Sequence, residues 1–469
     1  MSSTYSVRNK SIDWVSLTVY LCLVSIGWLM LYAVNYDPLS SESVLSINSD
    51  AGKQTVWIVL SLIFFGLTFL LDWKFWSTFS FLFYAVGILL LLLVLLIGYE
   101  TKGSKSWFLI FGMSFQPSEF AKLATALAIS SYLSLSNVTI KNRRQLLVAA
   151  GMFLLPSFLI LLQPDAGSAL VFFSFLLLLY MIGANQLYYI IGIGFITLVI
   201  LSLIYEPLYV GAAAGVFATI SMIYTKQVNR WLFLSSFLII PLAYIFYNNG
   251  IFNYYLIGLT VLFLLTVIYN IRIPRYSRTY ITSAVLFFTI FFSYSSNWVF
   301  NNVLKPHQQD RINVWLRPDR CDPRGSLYNI IQSKTAIGSG GFSGKGFLQG
   351  SMTQLNYVPE QKTDFIFAAI GEEQGFLGSV GVIVLFGILL MRLVLISNRA
   401  KNNFIKYYGY SLVGILFVHF FVNIGMTMGL MPVIGIPLPF ISKGGSSLLV
   451  FSIMLGILLK MDMDRGSVL

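Results

Sequence analysis

Residues 14–34 read WVSLTVYLCLVSIGWLMLYAV, an uncharged apolar run of about twenty residues, which is long enough to cross a bilayer as one helix. The run is longer than the apolar region of a signal peptide, and no small-residue cleavage site follows it. Similar runs recur along the chain, which is 57% hydrophobic and only 10% charged. Soluble domains are usually about a quarter charged. The sequence therefore predicts an all-α, polytopic membrane protein.

Runs of this kind predict about fourteen membrane-spanning helices. They lie near residues 14–35, 55–72, 75–98, 119–136, 146–163, 168–184, 187–205, 208–224, 231–247, 252–270, 280–303, 366–396, 405–430 and 444–460. Lys and Arg cluster on alternate connections, as expected of cytoplasmic loops. If the N-terminus is cytoplasmic, the alternation predicts that five connections lie outside the membrane. They are 36–54, 99–118, 164–167, 304–365 and 431–443. The long connection 304–365 is rich in glycine and aromatic residues, which indicates a functional segment rather than a disordered one.

The net charge of +12 fits the cytoplasmic loops of a protein that lies among membrane lipids. A nucleic-acid partner is not expected, because basic patches with interleaved aromatic residues are absent from the sequence. Cys22 lies in the first span and Cys321 in a polar loop, so we expect no disulfide between them. We interpret His307 as a loop residue and His419 as a hydrogen-bonded residue of the bundle, rather than as metal ligands.

Acidic residues concentrate in the stretch YVPEQKTDFIFAAIGEEQGFLG (357–378), which contains Glu360, Asp364, Glu372 and Glu373 among only 18 acidic residues of the chain. Asp364 heads an apolar run, and the two later glutamates lie about two turns deeper. One interpretation is a helix cap at Asp364 with a polar network at the glutamates. The other is a functional carboxylate at Asp364. These residues alone leave both open.

Two further stretches place polar residues at the same predicted membrane face. KGSKSWFLIFGMSFQPSEFAKL (102–123) puts Glu119 and Lys122 three residues apart on one helical face, either as an ordinary helix start or as a functional ion pair. QPDAGSA (163–169) contains Asp165, which is either a cap for the next helix or a residue of the same site.

Two glycine-containing stretches complete the candidate site. GSGGFSGKGFLQG (338–350) fails the spacing of a nucleotide-binding P-loop. Its backbone N–H groups, with Lys334 and Lys345 nearby, could hold a diphosphate, and flexible turn chemistry is the alternative. GIPLPFISKGGSSLL (435–449) breaks the helical pattern, and irregular backbone at this depth requires cover from protein or a water-filled cavity. We expect it to line the cavity that holds Asp364.

Together these motifs resemble the SEDS family, the polytopic proteins of bacterial shape, elongation, division and sporulation. The resemblance rests on QPSEFAK (116–122), QPDAGSA (163–169), IIQSKTAIGSGGFSGKG (330–346), TDFIFAAIGEEQGFLG (363–378) and PLPFISKGGSS (437–447). Within the family, GFLQGSMTQLNYVPEQKTDF (346–365) is more similar to the RodA elongation branch than to the FtsW division branch.

The resemblance implies a peptidoglycan glycosyltransferase that polymerises lipid II outside the bacterial cytoplasmic membrane, for elongation and rod shape. It also implies a partner, a single-pass transpeptidase of the class B penicillin-binding proteins. Asp364 is then the catalytic residue, and a further set binds substrate. That set is Trp107, Glu119, Lys122, Asp165, Lys334, Lys345, Gln354, Glu372 and Ser446.

Three positions depart from the family's pattern. Lys362 stands where His is common, Lys443 where Tyr is common, and Ser106 where a basic residue commonly precedes Trp107. A histidine beside Asp364 could assist proton movement, whereas Lys362 supplies only charge. We therefore assign no catalytic role to Lys362.

The resemblance also sets the expected domain organisation, with a core of about ten helices and about four inserted ones. The predicted parts are 1–186 (N-terminal membrane helices), 187–270 (inserted helices), 271–303 (a core helix), 304–365 (the extracytoplasmic catalytic loop) and 366–469 (C-terminal membrane helices).

The chemistry requires little of the protein. Joining two lipid-linked disaccharides displaces a polyprenyl diphosphate, which leaves as an anion, so one base and a cation suffice for an inverting displacement. Asp364 fits the base, and the cation could be Lys122, Lys334, Lys345 or a divalent magnesium or manganese ion. A transporter that flips lipid II or another polyprenyl-linked sugar, and a noncatalytic scaffold, are the rival hypotheses. Polar motifs concentrated on the outer side favour the enzyme.

Overall fold

The computed structural model describes residues 12–36, 46, 49–101, 104–110, 113–207, 209–211, 213–214, 277–322, 325 and 327–464. The chain divides into two compact units, one of residues 1–186 and 322–469 and one of residues 187–321. All the candidate site residues lie in the first unit.

The first unit is mostly helical. Its helices are α1 (Trp14–Asn35), α2 (Asp50–Thr68), α3 (Trp73–Thr78), α4 (Ser80–Ile97), α5 (Pro117–Ser134), α6 (Arg143–Leu161), α7 (Ala166–Phe172), α8 (Phe175–Ile182), α12 (Tyr328–Ser339), α13 (Ser351–Gln354), α14 (Ile366–Arg399), α15 (Asn403–Thr427) and α16 (Gly445–Met463). A small antiparallel sheet lies between α4 and α5, with the strands β1 (Tyr99–Thr101), β2 (Ser104–Ile110) and β3 (Met113–Phe115).

The second unit contains the remaining described elements. They are α9 (Gln186–Ile204), α10 (Ser277–Asn302), α11 (Pro306–Leu316) and a 3-10 helix (Pro318–Arg320). Phe195 of α9 packs edge to face on Phe292 of α10, with ring centroids 4.7 Å apart. The predicted insertion 187–270 lies largely outside the described residues, so the predicted domain boundaries stay a prediction.

Helix length and composition establish the fold class. Among the described residues, eight helices are long and apolar enough to cross a membrane, namely α1, α2, α4, α6, α9, α14, α15 and α16. This confirms the prediction of an all-α polytopic membrane protein. The predicted spans 208–224, 231–247 and 252–270 lie wholly or largely outside the described residues, so the number fourteen stays a prediction.

Two predicted spans are divided in the structure. Residues 75–98 form the short α3 and the long α4, and residues 168–184 form α7 and α8. At the second break, the carbonyl of Ser174 comes so close to Gly414 of α15 that a Cβ there would lie 2.9 Å from it. A larger residue at 414 would push α15 away from this break.

The predicted connections contain more regular structure than their composition indicates. Within 99–118, Trp107 of β2 pairs opposite Tyr99 and Phe108 opposite Phe115, and aromatic residues favour such strand pairs. Within 304–365 lie α11, α12 and α13. The prediction that His307 lies in a loop is wrong, because Pro306 begins α11 in the position where proline suits a helix.

A glycine fixes the start of α16 against α2. A Cβ at Gly445 would lie 2.0 Å from Cε2 of the Trp57 indole, so only glycine fits this contact. The contact fixes the end of the irregular segment 435–444, which leads into α16, against α2.

Candidate active site

Asp364 lies at the end of a tight turn that leads into α14. The backbone N–H groups of Thr363, Asp364 and Phe365 all donate to the carbonyl of Glu360, at 3.1, 3.1 and 3.2 Å. Glu360 itself has the left-handed φ of 57°. Asp364 is half-buried. The turn thus fixes the backbone that carries this carboxylate, without including Asp364 in the regular helix.

Asn423 of α15 donates a hydrogen bond to the backbone of Asp364. Its buried Nδ2 donates to the carbonyls of Asp364 (2.9 Å) and Ile436 (2.7 Å). A Cβ placed on Gly435 would lie 3.3 Å from Oδ2 of Asp364, so the carboxylate lies directly against the segment 435–444. Asn423 is not among the predicted site residues, and its only signal in the sequence is an amide within an apolar helix.

The segment 435–444 runs beside the turn and is tied to it at two further points. The Ser442 hydroxyl donates to the carbonyl of Thr363 (2.5 Å), and the Lys443 N–H donates to the carbonyl of Lys362 (2.9 Å). A polar cavity of about 250 Å³ opens here. Its lining residues are Asn356, Val358, Pro359, Glu360, Gln361, Lys362, Thr363 and Lys443. The cavity is therefore lined by residues of the turn and by one residue of the irregular segment.

The predicted pair of Glu119 and Lys122 is present in α5, and it is buried. Lys122 Nζ lies 2.8 Å from Glu119 Oε1, and the two side chains are 1% and 2% exposed. Nζ also lies 2.9 Å from Nε2 of His419, whose Nδ1 lies 3.0 Å from the carbonyl of Pro437. The prediction that His419 is hydrogen-bonded in the bundle is confirmed. The ion pair thus reaches the segment 435–444 through one imidazole ring.

Asp165 caps α7, as one of its two interpretations predicts. Its Oδ1 accepts from the Ser168 N–H (3.0 Å), and its Oδ2 accepts from Nε2 of Gln116 (2.9 Å). At Gly167 a Cβ would lie 2.6 Å from the carbonyl of Ile434. The motifs QPSEFAK and QPDAGSA therefore meet each other, and the second also packs on the backbone next to Asp364.

Three amides of the glycine-rich loop donate to carbonyls of the protein itself. The N–H groups of Gly344, Lys345 and Gly346 donate to the carbonyls of Gly340, Glu372 and Glu373, at 2.9, 3.0 and 3.0 Å. The carbonyls of Glu372 and Glu373 are available as acceptors because α14 is interrupted at Gly375, which has a φ of 64° and a ψ of −157°. Two of these bonds complete the hydrogen bonding of a broken helix and the third closes a turn within the loop, so these three amides already have partners in the protein.

Glu372 and Glu373 form the predicted supporting network. Glu372 is fully buried and accepts from the N–H groups of Met352 (2.9 Å) and Thr353 (2.8 Å) and from Lys345 Nζ (2.6 Å). Both of its oxygens are thus held by the protein, which makes it an anchor for α13. Nε2 of Gln354, at the end of α13, donates to the carbonyl of Leu348.

The remaining predicted residues have different surroundings. Trp107 is half-buried in β2, a strand whose Ser104 donates to the carbonyl of Gln163 (2.5 Å). Ser446 is buried in the first turn of α16. Lys334 of α12 is exposed, and a Cβ on Gly429 would lie 2.7 Å from its Nζ. Of the three lysines predicted to supply a cation, Lys334 has the most exposed side chain, because Lys345 is 27% and Lys122 1% exposed.

A divalent cation has no ready set of side-chain ligands in the described part of the chain. There, no three His, Cys, Asp or Glu residues come together in a group able to hold a metal ion. Magnesium or manganese therefore stays a prediction, and the chemistry below is derived from side chains of the protein.

Comparison with known proteins extends these observations. The family model FTSW_RODA_SPOVE, described as "Cell cycle protein", matches residues 13–213 and 205–466, which is almost the whole chain. The chain belongs to this family. It is 32% identical over 458 residues to "Peptidoglycan glycosyltransferase RodA" of Treponema pallidum (strain Nichols), covering 96% of this chain and 97% of the relative.

Two further relatives agree with this membership. The chain is 30% identical over 382 residues to "Peptidoglycan glycosyltransferase MrdB" of Escherichia coli (strain K12), covering 81% of this chain and 77% of the relative. It matches a chain from a structure titled "Structural coordination of polymerization and crosslinking by a peptidoglycan synthase complex" with a TM-score of 0.60 and 25% identity, covering 97% of this chain and 98% of that one. The matches to RodA and MrdB agree with the resemblance to the RodA branch.

Proposed function

We propose that this family member is a peptidoglycan glycosyltransferase that polymerises lipid II into glycan strands. The position of Asp364 carries the proposal: its half-buried carboxylate follows a tight turn, its backbone is clamped by Asn423, and a polar cavity opens at the same turn. The relatives from Treponema pallidum and Escherichia coli are named peptidoglycan glycosyltransferases, which supports glycosyl transfer as the reaction.

In the proposed reaction Asp364 is the general base. It takes the proton from a sugar 4-hydroxyl as that oxygen attacks the anomeric carbon of a second lipid-linked sugar, and the bond from that carbon to the diphosphate breaks with inversion. The diphosphate departs as an anion, so no partner acid is required. One carboxylate, that of Asp364, therefore matches the demand of the reaction for a base.

Lys334 is our candidate for the cation that stabilises the departing diphosphate. Lys122 is buried between Glu119 and His419, and Lys345 is paired with the buried Glu372, so both charges already have partners within the protein. Lys334 is exposed on α12. A positive charge that stabilises charge developing in the transition state acts most strongly when no other group neutralises it. Magnesium or manganese, if required, would act in addition to this lysine.

The setting of the reaction follows from the same proposal. We place the site on the outer face of the bacterial cytoplasmic membrane, in a chain that serves cell elongation and rod shape. The partner is a class B penicillin-binding protein, and the similarity to a chain of a peptidoglycan synthase complex that coordinates polymerization and crosslinking supports such a pairing.

The test is polymerisation of purified lipid II by the purified chain, with and without the partner transpeptidase. Asp364→Asn keeps the side-chain shape but removes the base, so we expect the rate to fall by about a hundredfold to ten-thousandfold. Glu360→Gln changes an exposed carboxylate of the same turn and should cost far less. Near-normal polymer from Asp364→Asn would refute the catalytic proposal. Movement of lipid II across vesicles without polymer would favour the transporter.

Thiol labelling tests which side of the membrane the cavity faces. Leu355 is 64% exposed and lies next to Asn356 of the cavity lining, and Lys141 is exposed between α5 and α6. In a Cys321→Ser chain, Leu355→Cys should react with a membrane-impermeant reagent in intact spheroplasts, and Lys141→Cys only in inside-out vesicles. Reversed labelling would place the cavity in the cytoplasm and contradict the proposed setting.

A further inference from the structure

Asp50, at the start of α2, contacts both lysines that line the cavity. Its Oδ2 lies 2.9 Å from Nζ of Lys362, and its Oδ1 lies 2.6 Å from Nζ of Lys443. The two contacts join residues that are 312 and 393 positions apart in the sequence. One carboxylate thus joins three separate segments of the chain: α2, the turn before Asp364 and the end of the segment 435–444.

The carboxylate is itself held in a fixed place. Ser49 caps α2 by accepting from the Gly52 N–H (2.9 Å), so Asp50 occupies the first turn of the helix, where the helix dipole favours a negative charge. The two lysines are also joined through their backbones, because the Lys443 N–H donates to the carbonyl of Lys362. This backbone bond keeps the two lysines side by side. Without the Asp50 carboxylate, their two ammonium groups would repel each other with no negative charge between them.

We propose that Asp50 is a positioning residue: by bridging Lys362 and Lys443 it holds the turn that carries Asp364 against the segment 435–444. The inference rests on the proposed function, in which Asp364 is the base. Lys362 stands two residues before Asp364, so a shift of this lysine moves the base. Both lysines are departures from the family's common His and Tyr, which makes the bridge a feature of this chain's own residues.

Steady-state kinetics on lipid II separate positioning from substrate binding. A base that is displaced by about an ångström loses rate, so Asp50→Asn should lower kcat by about ten- to a hundredfold while KM stays close to native. Asp50→Glu keeps the charge and should restore most of the loss. Lys53→Met removes an exposed charge from the same turn of α2 and should leave kcat unchanged. A native kcat in Asp50→Asn, or a raised KM alone, would overturn the proposal.

A second background tests whether Asp50 acts through the lysines. In a chain with Lys362→His and Lys443→Tyr, the bridge has no ammonium groups, so adding Asp50→Asn should cause little further loss of kcat. An equal fold-loss in the native and double-variant backgrounds would show that Asp50 acts by another route and would overturn the proposal.

Salt provides a test on the unaltered protein, in case Asp50→Asn does not fold. The three side chains are 26% to 34% exposed, so solvent ions reach the bridge. The screening length falls from about 10 Å at 0.1 M salt to about 3 Å at 1 M. The native kcat should fall over this range, and that of the Lys362→His, Lys443→Tyr chain should fall less. An equal fall of kcat with salt in the two chains would overturn the proposal that the bridge positions Asp364.

Activity in Asp364→Asn would instead refute the proposed function, whatever the Asp50 variants show.

Discussion

Nζ of Lys122 lies 2.9 Å from Nε2 of His419, and this contact joins α5 to α15 through two side chains that are almost completely buried. An ammonium only donates, so Nε2 accepts, and the proton of the neutral imidazole lies on Nδ1, which donates to the carbonyl of Pro437. The position of the segment 435–444 therefore depends on a charge in α5.

Removing the Lys122 charge should be worse than removing both charges of the pair. Lys122→Met leaves the Glu119 carboxylate buried without its cation, and breaking a buried pair in this way commonly costs about 3–5 kcal/mol. We expect Lys122→Met to lower the thermal midpoint of the purified chain more than Lys122→Met with Glu119→Gln. If the single and double variants melted together, Glu119 would not depend on Lys122 for its charge.

The same variants address the role of the pair in the reaction. Because Lys122 reaches Pro437 through His419, polymerisation should fall in Lys122→Met and in Glu119→Ala even at temperatures where both chains remain folded. Polymerisation of lipid II at the native rate by folded protein of both variants would make the pair purely structural.

Asn423 should matter for the rate of polymerisation although it does not line the cavity. Asn423→Leu preserves much of the volume but cannot donate to the carbonyls of Asp364 and Ile436, so the base loses its clamp. We expect kcat to fall about ten- to a hundredfold. Thr427→Val is the matched control one turn along α15, because the Thr427 hydroxyl donates only within its own helix, to the carbonyl of Ile424. Equal activity of the two variants would remove Asn423 from the positioning of Asp364.

The sequence predicts those contacts of the site that are local in the chain. Glu119 and Lys122 pair because residues three apart share a helical face, and Asp165 caps the helix that begins one residue later. Long apolar runs predict the spanning helices for the same reason, since hydropathy is a property of consecutive residues.

The contacts that the sequence does not predict join distant segments. Periodicity indicates which side of a helix is apolar, but not which residue of another helix it meets, so the partners of Asn423 and Asp50 have no signal in a single sequence. The glycine-rich loop was ambiguous for a related reason. The amides of Lys345 and Gly346 serve the break in α14 at Gly375, and no proline marks that break in the sequence.

Gly375 should be the least replaceable glycine of α14. A Cβ there would lie 2.2 Å from the nitrogen of Gly344, and the backbone has a positive φ, so Gly375→Ala combines a clash with strain of about 1–3 kcal/mol. Gly387→Ala is the control in the same helix, because a Cβ at Gly387 would meet nothing within 4 Å and alanine favours a helix. We expect a large fall in the thermal midpoint only for Gly375→Ala. If both variants lowered the thermal midpoint by the same small amount, the glycine-rich loop would not pack into the break of α14 at Gly375.

Asp13, the cap of α1, should make stability depend on pH. Its carboxylate accepts from Arg392 (2.5 Å), Arg399 (3.3 Å) and the Ser16 N–H (3.0 Å). Burial acts to raise the pKa of Asp13, but the hydrogen bonds from Arg392 and Ser16 and the Arg392 charge outweigh it, and the pKa lies below its ordinary value. Since the folded pKa is the lower one, the stabilisation is complete above the unfolded pKa of about 3.9 and is lost as the pH falls through the folded pKa.

Asp13→Asn isolates that charge, because the amide oxygen still accepts from the Ser16 N–H and keeps the cap of α1. At neutral pH the variant should lose about 1.5–3 kcal/mol, the usual value of hydrogen bonds to a charged group, and melt below the native chain. The difference between the two thermal midpoints should stay constant from about pH 8 to pH 5 and shrink below about pH 4, where the carboxylate of the unfolded native chain begins to take up its proton. A difference that persisted unchanged to low pH would show that the arginines recognise the shape of Asp13 rather than its charge.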